Sequence, residues 1–247
     1  MISFLLILIL SNVSVGQAKG IPNLQGTWTI ATLTPLVRDP KLGNLKEYSV
    51  DDAAKVEKEN FEFIQNVNKD SPTSLKTKDL PLECIKGFTG AKCGYNEFWL
   101  ELSNSLIEID GKKRTSIIIE PFNGRIPFLK KWTPITDFGT DGPEDRPLAE
   151  RCLTPYGLAG GLPMLPAIYN NNYQIIQNED SIAILSEMIH DVRMIRIGSA
   201  PAQKRTRRWM GNSTASWVNE SLVIKTDGFN EKQYFFGSVK NLKLTEV

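Results

Sequence analysis

From residue 167 to residue 247 the chain is a series of short β-branched stretches cut by turn signals, and this pattern constrains the fold more than any other feature. Residues 173–177, 181–197, 216–226 and 233–244 read as strands. Asn178-Glu179-Asp180, Gly198-Ser199-Ala200-Pro201 and Asp227-Gly228-Phe229-Asn230 separate them. Successive strands joined by short turns predict antiparallel neighbours. Closure into a barrel would remove the exposed edges of such a sheet. The expected class is therefore mainly β with some α: an antiparallel meander closing into a barrel, with an N-terminal helix and long loops.

Residues 19–166 read differently. Leu24 to Ile30 forms a first short strand. Ser49 is placed to cap a helix, with Asp52 as its partner three residues on. Ala53, Val56, Phe61, Ile64 and Val67 then trace a one-sided apolar stripe, and Lys69-Asp70-Ser71-Pro72 ends it. Asp110-Gly111 between residues 105–109 and 114–120 is a hairpin turn signal. Residues 127–166 are rich in proline and glycine and predict a long irregular connector. With 247 residues, 41% hydrophobic and 23% charged, the chain suits one β-rich domain over 19–247: a helix- and loop-rich part to 166, then the meander over 167–247.

Residues 1–18 read as a signal peptide: the apolar run Phe4 to Leu10, then Gly16 and Ala18 before a cut at Lys19. That run is too short to span a bilayer, so no stable membrane insertion is expected. The implied location is exported, either periplasmic or extracellular. Export makes a Cys84–Cys93 disulfide an expectation and leaves Cys152 over, as a small buried residue or a nucleophile. Asn212-Ser213-Thr214 and Asn219-Glu220-Ser221 are glycosylation sequons, meaningful in a eukaryotic host. A net charge of +1 argues against nucleic acid as a partner. The basic run Lys204-Arg205-Thr206-Arg207-Arg208 is local, either a solvated loop or an anion clamp.

Chemistry concentrates in Glu187-Met188-Ile189-His190-Asp191-Val192-Arg193. His190 is the only histidine, so a multi-histidine metal site is excluded and histidine acid/base chemistry must use this imidazole. If the segment is one strand, Glu187, Asp191 and Arg193 share a face with Leu185, Ile189 and Ile195, and His190 points opposite unless a bulge brings it over. In a catalytic reading Glu187, His190 and Asp191 handle protons and Arg193 holds an anion. The plainer alternative pairs Arg193 with a carboxylate and gives His190 a core hydrogen bond. Asn170-Asn171-Asn172-Tyr173 offers amides at a strand mouth, so Asn171, Asn172 and Tyr173 are candidate ligand contacts. Arg146 and Arg151, among Glu144, Asp145 and Glu150, are either surface ion pairs or arms reaching into a pocket. Arg208 with Trp209, and Tyr95 with Asn96 and Trp99, are further polar-aromatic patches. The chain has no phosphate-cradling glycine loop, nucleophile elbow, Cys-x-x-Cys or EF-type loop, so no cofactor and no metal are expected.

Gly26-Thr27-Trp28 resembles the Gly-x-Trp of lipocalins, which implies a lipocalin-like barrel. Tyr95-Asn96-Glu97-Phe98-Trp99, Gly142-Pro143-Glu144-Asp145-Arg146-Pro147, Arg151-Cys152, Tyr169-Asn170-Asn171-Asn172-Tyr173, Glu187-Met188-Ile189-His190-Asp191 and Arg208-Trp209-Met210-Gly211 are similar, in this order, to segments of a broad group of exported bacterial proteins. This second resemblance implies a shared fold and a shared pocket, and it brings no activity with it. Members of the group continue past residues 242–246, which implies that this chain is short at its C-terminus. The expected partner is a small organic molecule held in a polar-lined barrel pocket. The alternative is a cofactor-free enzyme (an isomerase, cyclase, lyase or hydrolase) using the Glu/His/Asp/Arg cluster. A purely structural ion-pair network is the third possibility. Oligomeric state leaves no mark in the sequence.

Overall fold

The computed structural model describes residues 21–67, 101, 103–127, 142–146, 150–153, 164–167, 169–198, 206–230 and 242–247. The fold is mainly β. A mixed sheet of seven strands curls strongly into a half-barrel, and one helix lies in the N-terminal region. Along the chain the strands are β1 (Gly26–Thr29), β2 (Glu108–Ile109), β3 (Lys112–Lys113), β4 (Asn172–Gln177), β5 (Ser181–Ser186), β6 (Val192–Ile197), β7 (Asn212–Val218), β8 (Ser221–Asp227) and β9 (Leu244–Glu246); the helix is α1 (Val50–Val67). The main sheet has the order β1-β4-β5-β6-β7-β8-β9, while β2 and β3 form a separate hairpin.

The sheet departs from the expected closed antiparallel barrel in two ways. It stays open, with β1 and β9 as its edges among the described residues. It is also mixed, because β6 and β7 run parallel over Ile195–Ser213, Arg196–Thr214 and Ile197–Ala215. A tight turn after Ile197 would make β7 antiparallel, but residues 198–211 separate the two strands, a length in the range that parallel connections need.

Two of the expected strands are in fact hairpins. Residues 181–197 split into β5 and β6 because Ile189 and His190 take left-handed conformations, with φ of 58° and 47°. Residues 216–226 fold at Asn219 and Glu220, so Val218 pairs with Ser221. Of the expected strand 233–244, residues 233–241 lie outside the described structure, and the last strand is β9. Residues 1–18, read above as a signal peptide, and Cys84, Cys93, Tyr95, Asn96 and Trp99 also lie outside it. Cys152 is a free, exposed thiol at φ 53°, not the small buried residue expected for an unpaired cysteine.

The start of the helix follows its sequence signal. The Ser49 hydroxyl accepts from Asp52 N at 3.1 Å and donates to the Asp52 carboxylate at 2.6 Å. Ala53 and Ile64 are buried, but Phe61, expected in the stripe, is 49% exposed. Asp110 and Gly111 both take positive φ in the β2–β3 turn, as that dipeptide predicts. Arg38 knots the N-terminal loops together. Its Nε donates to the Thr115 hydroxyl at 2.9 Å, one terminal nitrogen to Phe122 O at 2.8 Å and the other to the Ser116 hydroxyl at 3.3 Å.

Strand registers place one set of side chains on the inner, concave face. Tyr173, Ile182, Ile184, Ile195, Ala215 and Ile224 form its buried core, with Ile175, Ile197 and Leu222 packed alongside. Burying each isoleucine contributes about 2–3 kcal/mol. Leu165, Phe229 and Leu242 make a second cluster, and Met164 packs against both.

Candidate functional site

Two polar features interrupt the isoleucine wall. The first is centred on Arg193, which is only 2% exposed and shares the inner face with Ile184 and Ile195. Its guanidinium grips Glu246 of β9 in a two-pronged ion pair, at 3.2 Å to Oε1 and 2.5 Å to Oε2. Its Nε donates to the Ser213 hydroxyl at 3.1 Å, and a terminal nitrogen donates to the Thr226 hydroxyl at 2.9 Å. Those hydroxyls lie 2.9 Å apart on paired positions of β7 and β8. The Arg193 charge is thus neutralised by protein, and this arginine reaches from β6 across three more strands. It realises the plainer of the two sequence expectations for Arg193.

The second feature is a cross-strand row at one end of the sheet. Trp28 stands opposite Tyr173, and Tyr173 opposite Ser186. One step beyond the last β5–β6 pair, Ser186 N donates to Asp191 O at 2.8 Å, so Ser186 and Asp191 face each other at the next inward register position. The row reads indole, phenol, hydroxyl, carboxyl. Trp28 is 49% exposed at the open edge, while Tyr173 and Ser186 are buried. Burial pushes the Tyr173 phenol above its ordinary range, and its hydrogen bond with Ser186 opposes that shift.

Asp191 is the unusual member. Its Oδ2 is buried and has no hydrogen-bond partner among the described residues. Desolvation raises the carboxyl pKa, and the charge of neighbouring His190 pulls the other way. A buried unsatisfied polar oxygen typically costs about 1–3 kcal/mol. The turn before Asp191 carries backbone strain too. A left-handed β-branched residue such as Ile189 costs on the order of 1–2 kcal/mol.

The same turn holds the other sequence candidates. Glu187 and His190 are both exposed. The Glu187 carboxylate accepts from the side-chain amide of Asn172 at 2.9 Å and from its backbone N at 3.3 Å, while Glu187 N returns a bond to Asn172 O. Asn172, Tyr173, Glu187, His190, Asp191 and Arg193 are thereby gathered at adjoining ends of β4, β5 and β6. The proposed strand parity holds for Arg193 and Ile195 but not for Leu185, because the turn between the arms puts Leu185 opposite Val192 on the outer face.

The remaining candidates stand elsewhere. Asn171 is buried as a clasp: Oδ1 accepts from Ala167 N at 2.6 Å, Nδ2 donates to Ala167 O at 2.8 Å, and its backbone N donates to the Glu101 carboxylate at 2.7 Å. Arg146 lies 3.9 Å from Glu150 and Arg151 contacts Glu144 O at 3.5 Å, which is a local surface arrangement. Exposed Arg208 bridges to Phe229, with half-buried Trp209 in the following turn. Sequence reasoning did not single out Ser186, Ser213, Thr226 or Glu246. Small hydroxyl residues in strands carry no signal until the register is known, and Glu246 meets Arg193 across 53 residues of sequence.

No family model matches the chain, and no curated protein or solved structure does either.

Proposed function

We propose that this is an exported protein that binds a small organic molecule on the inner face of its half-barrel, against the row Trp28, Tyr173, Ser186 and Asp191. The observation that carries the reading is the composition of that face: an isoleucine wall with a few polar groups converging at one end, one of them a buried carboxyl oxygen without a partner among the described residues. Ligand sites are typically concave, mostly apolar and equipped with a few fixed polar groups. The Arg193–Glu246 pair supports the wall from within, while Asn172 and Glu187 fix the rim. Export rests on the apolar leader in the sequence. The similarity to exported bacterial proteins fits the same proposal.

The test is native mass spectrometry of protein purified from its own source, followed by identification of any retained molecule. The expected result is a bound organic molecule that Trp28→Ala releases or weakens and that Ile176→Ala, on the outer face, retains. Equal retention by both variants sinks the inner-face assignment.

One observation favours a second reading, an enzyme without a cofactor. Glu187, His190 and Asp191 share one strained turn, and Asp191 holds its proton more tightly than an ordinary aspartate. Catalytic acids are commonly tuned in this way. In that case Glu187→Gln, His190→Ala and Asp191→Asn each abolish turnover of the retained molecule while leaving the fold intact.

A further inference from the structure

The ligand class can be narrowed by asking which polar groups of the inner face remain available. Arg193 does not, because Glu246, Ser213 and Thr226 already take its donors and cancel its charge. Ser186 bonds Tyr173. The Glu187 carboxylate, at the rim, is engaged by Asn172. Two atoms remain without a partner on this face among the described residues, Asp191 Oδ2 and Trp217 Nε1. Trp217 stands at the far end of β7, two inward positions beyond Ser213, so at the Trp28–Tyr173–Ser186 row the open group is Asp191 Oδ2, an acceptor with no donor.

Resting on the binding site proposed above, we infer that the ligand is an amine whose ammonium group donates to the Asp191 carboxylate while its apolar, aromatic body lies along Tyr173 and Trp28. Charge points the same way. Among the described residues of the inner face, with Arg193 and Glu246 cancelling, the ionised Asp191 leaves one negative charge in excess, next to exposed His190 and Glu187. A ligand carboxylate would meet Asp191 with like charge and find the only inner-face arginine among the described residues already neutralised. An ammonium restores both charge balance and hydrogen bonding. The body of the ligand is argued from the row itself. Its open end is a half-exposed indole beside a buried phenol, and adjacent strands lie about 4.8 Å apart, so Trp28 and Asp191 are about 14 Å apart along the sheet. A ring joined to an amine through a short linker fills the part of that span from Asp191 to Tyr173, two strand spacings or about 10 Å, and Trp28 borders its open end.

The strain supports a role beyond folding. Ile189 and His190 hold left-handed conformations immediately before a carboxyl oxygen that has no partner among the described residues. Such features persist where they serve a site more than the fold. A residue needed for folding loses stability when altered, whereas one kept for a ligand gains it.

The experiment uses three matched probes on the full chain: 2-phenylethylamine, 2-phenylethanol and 3-phenylpropionate, titrated by calorimetry, with thermal midpoints recorded alongside. The wild type is expected to bind the amine at least about tenfold more tightly than the alcohol, with the carboxylate weakest. Asp191→Asn is expected to bring amine and alcohol within about twofold of each other and to raise the ligand-free midpoint by a few degrees. The amine inference is overturned by tightest binding of alcohol or carboxylate, by an amine preference that survives in Asp191→Asn, or by a lowered midpoint in that variant; each of the first two leaves a binding site standing. If none of the probes binds and the protein from its own source carries no molecule, the inner-face site falls as well.

Discussion

Two buried arginines, Arg38 and Arg193, are each 2% exposed, and they are compensated in opposite ways. Arg193 sits in the sheet against a carboxylate and two hydroxyls. Arg38 sits among the N-terminal loops and bonds only neutral oxygens, those of Thr115, Ser116 and Phe122, with no carboxylate partner among the described residues. The comparison teaches that burial alone does not define a role. A guanidinium on neutral acceptors works as a cross-link between loops, and its removal leaves no charge behind. A guanidinium on a carboxylate belongs to a pair, and removing either member strands the other.

The largest expected effect follows from that difference. Arg193→Met should cost about 3–5 kcal/mol in urea unfolding, because Glu246 loses its cation and Ser213 and Thr226 lose a donor. Adding Glu246→Leu should recover a substantial part, and a double-mutant cycle without coupling would show that the pair is not a unit. Arg38→Met should cost less, about 2–3 kcal/mol, since only neutral hydrogen bonds disappear and a buried charge goes with them. An equal or larger loss than at Arg193 breaks the comparison.

Gly124→Ala sharpens it from the backbone side. Gly124 sits at φ 66°, and a Cβ there would lie 2.7 Å from Ser116 Oγ and 2.9 Å from Arg38 Cβ. The expected loss is about 2 kcal/mol, read as a lower unfolding midpoint.

The smallest effect has the opposite sign. Asp191→Asn should stabilise by about 1 kcal/mol at neutral pH by removing a desolvated, unpaired carboxylate. The pH dependence follows from the raised folded-state pKa, against 3.8 when unfolded. Between the two values the native state holds the extra proton. Relative to Asp191→Asn, the wild type is therefore unpenalised below the unfolded pKa and loses stability as pH rises through the folded one. Unfolding both proteins across an acid-to-neutral series checks this, and parallel curves would remove the argument.

Only the Arg193 side of this contrast was legible in the sequence, together with some local elements of the fold; Arg38 carried no signal, because its partners come from loops about 77–84 residues away. The helix start at Ser49 and Asp52 and the hairpin at Asp110-Gly111 are local devices, readable over three or four residues. The inward placement of Arg193 beside Ile195 followed from alternation. The turn at Glu187 to His190 did not, because Ile189 is a β-branched residue that seldom adopts the left-handed conformation it has here. Missing that turn misplaced Leu185 and concealed the Ser186–Asp191 pairing. Asn171 looked like a ligand contact because an exposed amide and one bonded within its own loop are the same letter. Glu246 was unreadable for another reason: its partner comes from a distant strand, and no local pattern carries that pairing. The polar cluster was visible as composition, while its division into a supporting arginine and an unsatisfied aspartate appeared only with the register.

The parallel junction of β6 with β7 has a consequence for how the molecule assembles. On either side of it the neighbours β4-β5-β6 and β7-β8 are linked by short turns, so each block can zip from its own turn within microseconds. The junction has three register pairs and must wait for a longer chain segment to close. Arg193 crosses that late-forming joint, anchored in β6 and bonded to β7, β8 and β9. Its loss should therefore mainly hasten unfolding and leave early zippering almost untouched, so that the side chain acts as a rivet fixed after the plates have met.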